Sequence, residues 1–250
     1  MKKLTLLFAF LLPGVAIYAQ TSGAVYYHEK TTLHINIQGD APPPPNLPRE
    51  RNAFTVLYFQ PDQSLYVNDP DRENDPAMIE QESIDGNEGV HIKMSAPDDR
   101  YYCDLKNSQC IDQRDFIQRL FLIERDLQST GWKITGQHKS ILNYPCQEAI
   151  RVDDGKKVTA WFTTSIPVSA GPATYGGLPG LVLEVSVNDG DRVISAVEVK
   201  PGDQSAMIKK PKEGKKVTEA EFNKIREDKL KEMGVESGSG GNVIIRINDR

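Results

Sequence analysis

The stretch from Tyr175 to Val187, YGGLPGLVLEVSV, limits what this chain can fold into more than any other. Two glycines open it, Leu178-Pro179-Gly180 turns it, and Leu181, Leu183, Val185 and Val187 then recur at alternate positions. Pro179 fixes φ for the first central residue of a turn, and Gly180 is predicted to take the positive φ that a type II turn needs at the second. The period of two after the turn makes a strand with one buried face. The stretch is a rigid corner feeding a core strand, and Glu184 is its only metal-ligating side chain. It identifies a kind of architecture and carries no chemistry of its own.

Short strands separated by turns surround this corner. Ser22 to Gln38 alternates, with Val25, Tyr27, Leu33, Ile35 and Ile37 on one face and His28, Lys30, Thr32 and His34 on the other, which predicts one long half-buried strand. Further strands are predicted over Ala53–Phe59, Ser64–Asn68, Tyr101–Tyr102, Trp132–Thr135, Ser140–Leu142, Cys146–Val152, Val158–Thr163 and Val193–Val199. Asp153-Asp154-Gly155 and Asn188-Asp189-Gly190 read as hairpin turns. Asp115 to Leu127 fits the helical and strand templates alike, with its second half closer to strand. Four consecutive prolines make 40–48 an extended connector, and the basic, apolar-poor residues 201–216 read as a linker. Thr218 and Glu221 then form a capping box, so a helix runs toward Gly234 with Phe222, Ile225, Leu230 and Met233 on one face. Val243–Ile247 reads as a last strand. The fold class is mainly β with a C-terminal helix: a curved antiparallel sheet or half-barrel packed on that helix, in a single domain over 20–250.

Residues 1–19 stand apart. Lys2 and Lys3 precede an apolar run ending in Ala19, interrupted by Pro13-Gly14, which is the pattern of a secretory signal peptide. The formal charge is -5, and losing the two lysines makes it more acidic still, far from the basic footprint of a nucleic-acid binder. An exported, periplasmic or secreted protein that does not span the membrane is the expectation. In such a compartment two of the three cysteines pair. Cys103 and Cys110, close in sequence around Asn107-Ser108, are the first choice; the alternative joins Cys146 to one of them.

NYPCQEA (Asn143 to Ala149), AWFTTSIPVSAGP (Ala160 to Pro172), the corner itself and Trp132-Lys133-Ile134 together resemble the GLPGLI family of exported proteins from Bacteroidetes-type bacteria. Its signature falls here on Trp132, Tyr144, Cys146, Ala160, Trp161, Pro167, Gly171, Pro172, Gly177, Leu178, Pro179, Gly180 and Leu181, with Val182 where the name has isoleucine. The resemblance implies a β-rich exported protein and supplies no catalytic residue. A sheet wrapped on a helix, similar to LolA-type lipoprotein carriers, is an analogy of fold alone.

Standard catalytic arrangements do not occur in the sequence. There is no GxSxG elbow and no HExxH, and the glycines near the corner lack the Lys-Ser/Thr of a phosphate loop. The acidic run from Asp69 to Glu82 departs from a calcium loop, with Asn74 where the turn glycine belongs. No cofactor or metal is expected. The reading is a non-catalytic binding or carrier module for an apolar ligand or envelope component, held in a groove between sheet and helix. The alternatives are an accessory subunit docking onto an envelope protein, or an enzyme of unrecognised type.

Overall fold

In the computed structural model, residues 20–38, 49–74, 77–81, 90–94, 97–127, 131–153, 155–232, 235–237 and 242–246 are described. Residues 1–19 and 40–48, read above as a signal peptide and a connector, lie outside them, as do Met233 and Gly234 at the end of the expected helix. The strands begin with β1 (Gly23–Thr32), β2 (His34–Gln38), β3 (Glu50–Phe59), β4 (Gln63–Asn68), β5 (Ala77–Gln81) and β6 (Val90–Met94). Next come β7 (Arg100–Asp104), β8 (Gln109–Phe116), β9 (Arg119–Asp126), β10 (Lys133–Ile141), β11 (Tyr144–Asp153) and β12 (Lys156–Thr163). The corner leads to β13 (Leu181–Val187) and β14 (Arg192–Pro201), followed by β15 (Lys215–Val217), helix α1 (Glu219–Glu232), β16 (Val235–Ser237) and β17 (Asn242–Arg246).

Twelve strands make one open sheet in the order β10, β11, β12, β13, β14, β1, β3, β4, β7, β8, β9, β15. Its ladders are antiparallel except where β15 runs parallel to β9. The mainly β architecture with a C-terminal helix follows the expectation from the sequence. The first predicted strand is in fact two. It breaks at Leu33, and β2 leaves the large sheet to pair with β17. The ambiguous stretch 115–127 resolves as strand on both sides of a two-residue turn, with Ile117 at φ 51° and Gln118 at φ 58°. Asn-Gly or Asp-Gly would have announced such a turn, and neither is present.

The sheet curls around the segment that links β12 to β13. Ile166, Val168, Ala170, Ala173, Tyr175 and Leu178 of this segment share one core with Val25 and Tyr27 of β1, Tyr66 of β4 and Tyr101 of β7. Strands β13 and β7 stand five places apart, about 24 Å in a flat sheet at the usual strand spacing. Only a strongly curved sheet brings both onto one segment. The segment is anchored by backbone bonds, Leu181 N–H to Ile166 O and Val182 N–H to Ala170 O, each 3.0 Å. The Tyr27 hydroxyl adds a bond of 2.6 Å to Val182 O.

The corner turns differently from the sequence-based expectation. Gly180 N–H donates to Leu178 O at 2.8 Å, a three-residue γ-turn centred on Pro179. The positive φ belongs to Gly177, at 85°, and Gly180 has none. Gly180 is needed for space: a Cβ there would stand 2.1 Å from the backbone oxygen of Thr163. The strand after it is buried at Leu181, Val182, Leu183 and Val185, because a bulge opposite Trp161 and Phe162 interrupts the simple alternation.

Helix α1 has the predicted cap: Glu221 N–H donates to Thr218 Oγ1 at 3.2 Å and Thr218 N–H to Glu221 Oε2 at 2.7 Å. Its packing is slighter than the spacing suggested. Phe222 is its only buried residue, set against Phe121 and Ile123 with Val217 and Ile225 beside it. The helix therefore rests on the β9 edge, while the inner face is filled by the segment before the corner. Residues 201–216 are also tied down, contrary to a linker. Ile208 is buried on the outer face against Ala24, Val56, Tyr58, Leu65 and Tyr102, and 215–217 form β15 at the edge of the large sheet.

Candidate functional site

Following β1 inward along its buried face gives Val25, Tyr27 and then Glu29. An acid at the third inward position of a core strand must be matched by cations or lose its charge. The two neighbouring strands supply them. Arg192 of β14 lies opposite Thr31, as does Arg51 of β3, so both flank Glu29 from the next inward position. Arg192 grips the carboxylate as a fork, Nε to Oε1 at 3.0 Å and Nη2 to Oε2 at 2.9 Å. Arg51 approaches less closely, with Nη2 at 3.9 Å from Oε1.

A second ionic group faces the first from β7 and β8. Asp112 is opposite Tyr101, which is opposite Tyr66. Arg125 Nε donates to both Asp112 oxygens at 3.1 Å. Arg114 is shared between Asp99 and Asp112, 3.4 Å from each, and its guanidinium lies 4.6 Å from the Tyr101 ring centre. The Tyr66 hydroxyl reaches Glu29 at 3.4 Å and the Tyr101 hydroxyl reaches Asp99 at 3.3 Å. Between the two groups lies a cleft of about 210 Å³, with Ala53 and Thr55 in its lining and Thr31, Asn68 and Pro97 toward solvent.

The charges of this cleft are set by competing effects. Burial pushes the Glu29 carboxyl up, but Arg192, Arg51 and the Tyr66 hydroxyl outweigh it and hold it below its ordinary value. At Asp99 burial prevails over Arg114, and the carboxyl rises. Burial lowers Arg51 even though Glu29 and Asp99 favour its charge, with Arg192 adding repulsion. Burial also keeps Tyr66 and Tyr101 firmly protonated. Neither Arg51 Nε nor Arg114 Nε, both buried, has an acceptor among the described residues, so each leaves a hydrogen bond unmade.

The signature residues lie elsewhere, around the corner. Trp132 Nε1 donates to Gly176 O at 3.1 Å, and Arg151 is held between the rings of Trp132 and Tyr175, 4.5 and 5.5 Å from their centres. Cys146, Ala160, Gly171, Pro172, Leu178 and Leu181 are buried, Gly177 is half-buried, and Pro167 and Pro179 are exposed. Tyr144 donates to Gln20 Oε1 at 3.4 Å. Trp161 is on the outer face with Lys139 Nζ 4.4 Å above its ring, while Phe162 is core. Cys103 and Cys110 form a disulfide, and Cys146 is free and buried.

A wider, shallower depression of about 420 Å³ occupies the place where a groove between sheet and helix was expected. Among the described residues Arg119, Leu120, Phe121, Lys215 and Ile225 line it, and Leu120 is exposed. It is an open surface with no converging polar groups. The cleft at Glu29 is smaller but built from six strands or their flanks, and it is the better-formed site. Among the described residues no cluster of His, Cys, Asp and Glu could hold a metal ion, and no helix is long and apolar enough to cross a membrane.

An open sheet wrapped on its own inter-strand segment, with an ionic cleft at one end, defines the class of protein by its architecture. A family model described as a protein of unknown function (Porph_ging) matches residues 149–184, from late β11 through the corner into β13. Two solved structures of PNGF-II, in P21 and C2 crystals, are similar in fold, each with a TM-score of 0.51 and with 16% and 15% identity. The match covers 82% of this chain and 33% and 32% of those chains, so this chain spans about a third of their length. No curated protein matches the sequence.

Proposed function

We propose that this protein is an exported, non-catalytic binding module of the GLPGLI type, whose recognition site is the cleft between Glu29 and Asp99. The observation that carries the reading is the lining itself: buried guanidinium donors without acceptors among the described residues, around a space open to solvent. Such a site favours a small polar solute over the apolar ligand expected from the sequence, since the remaining inner face is filled by the chain's own segment. The arginines and high-pKa tyrosines are suited to donating hydrogen bonds and poorly suited to moving protons at neutral pH, which supports binding over catalysis. The disulfide supports an oxidising compartment.

Thermal-shift screening of the purified protein against small neutral, anionic and cationic polar solutes tests this. Thr31→Trp, at the mouth of the cleft, serves as the blocked control. A solute that raises the melting temperature of the parent and not of Thr31→Trp supports the reading. If every stabilising solute acts equally on both, binding lies outside the cleft and the reading falls.

A further inference from the structure

We infer that the ligand of this cleft is a compact monoanion whose carboxylate docks on Arg51. The inference rests on the binding reading above and names the class of ligand. Its first ground is charge. Arg51, Arg114, Arg125 and Arg192 meet only Glu29, Asp99 and Asp112 in the two facing groups, which leaves one positive charge uncompensated when all are ionised. A single negative charge balances it, and a dianion overshoots.

The second ground is which cation is available. Glu29 occupies the Nε–Nη2 fork of Arg192, and Arg125 Nε donates to both oxygens of Asp112. Arg114 is divided between two carboxylates. Among the described residues the one ion pair of Arg51 is the long approach to Glu29, with Asp99 favouring its charge from farther away, and its Nε has no acceptor. A planar guanidinium carries pairs of parallel N–H groups that match the two oxygens of a carboxylate, a match that a tetrahedral anion or a point charge does not reproduce as well. Burial that disfavours the Arg51 charge in the free protein makes an added anion more valuable there.

The third ground is size. A cleft of about 210 Å³, open to solvent on one side, suits a short hydroxy- or oxo-acid better than a long acyl chain.

Isothermal titration calorimetry at low ionic strength with lactate, 3-hydroxybutyrate, lactamide, inorganic phosphate and sulfate tests the inference. At least one of the two carboxylates should bind, with lactamide at least tenfold weaker than lactate and the tetrahedral anions weaker than the better carboxylate. Arg51→Gln should weaken carboxylate binding at least tenfold while its circular dichroism stays that of the parent. Arg51→Lys keeps the charge without the fork and should fall between them; it carries the comparison alone should Arg51→Gln not fold. Lactamide binding as well as lactate, in a manner blocked by Thr31→Trp, would overturn the anion and leave the binding reading intact. Tighter binding of phosphate or sulfate would overturn the carboxylate. Absence of carboxylate binding up to millimolar concentrations, or binding indifferent to both Arg51 variants, would overturn the inference outright.

Discussion

Glu29 and Arg192 are 163 positions apart in the chain and meet as a two-point ion pair at 3.0 and 2.9 Å. Glu29 is buried while Arg192 keeps some exposure, so the pair is screened on one side only. Glu29→Gln leaves a guanidinium with half its fork and should cost about 1–3 kcal/mol at neutral pH. Urea melts of parent and variant measure it. Indistinguishable midpoints would show that the pair organises the cleft without stabilising the fold.

Acid should erase that difference. The folded-state pKa of Glu29 is depressed, so its contribution is complete above the unfolded value of about 4.3 and is lost as the pH falls through the lower folded value. Asp99 behaves oppositely. Its folded pKa is raised, so the fold is favoured by its proton below about 3.9 and loses that advantage as the pH rises through the folded value. Melting temperatures across pH 2–7 should show the parent's advantage over Glu29→Gln shrinking below about pH 4. Those of Asp99→Asn should gain on the parent as the pH rises from about 3.

At the corner, space and backbone conformation separate into two glycines. Gly180→Ala forces a methyl to 2.1 Å from the Thr163 oxygen, which only backbone movement relieves, and should cost about 3 kcal/mol or more. Gly177→Ala must adopt a left-handed backbone conformation and should cost about 1–2 kcal/mol. Leu181→Ala and Leu183→Ala, both fully buried, should each cost about 2–5 kcal/mol. Chemical denaturation ranks the four; a Gly177 variant worse than the Gly180 one would reverse the assignment.

The cysteines should differ sharply in reactivity. Reducing the Cys103–Cys110 bridge, with its separation of seven, should remove about 2–3 kcal/mol on the chain-entropy model. Cys146 is buried, and burial pushes its thiol up, with Glu184 adding to the rise and Lys139 opposing it. Thiol labelling of the oxidised native protein should therefore proceed only as fast as it unfolds. Labelling within seconds in buffer would show that the site opens locally.

The sequence disclosed the elements whose signals are local. The strand after the corner, the β11–β12 and β13–β14 hairpins, the Thr218–Glu221 cap and the nearby cysteine pair each depend on residues a few positions apart. The cleft depends on strand order. Nothing in the spacing of Glu29, Arg51, Asp99, Arg114 and Arg192 shows that β1 lies between β14 and β3. One signal was available: Glu29 falls on the inward face of a strand whose preceding inward residues are Val25 and Tyr27. A charged residue in phase with a core stripe marks either a broken strand or a buried ionic site, and here it marks the second. The helix misled in the opposite sense, because Phe222, Ile225 and Leu230 make a plausible stripe whose packing partner is a sheet edge.

The place of β1 between an early and a late neighbour also bears on how the chain is made. Strand β3 follows soon after β1 and can pair with it as a hairpin, but the other side of β1 has no partner until β14 has been synthesised. The segment between β12 and β13 joins adjacent strands, so it can collapse locally before the distant ladder closes. During translation, and during any passage across a membrane, β1 therefore carries an unpaired edge for most of the chain's length. That interval is the period of greatest exposure to mispairing, and the β1–β14 ladder is the step that ends it.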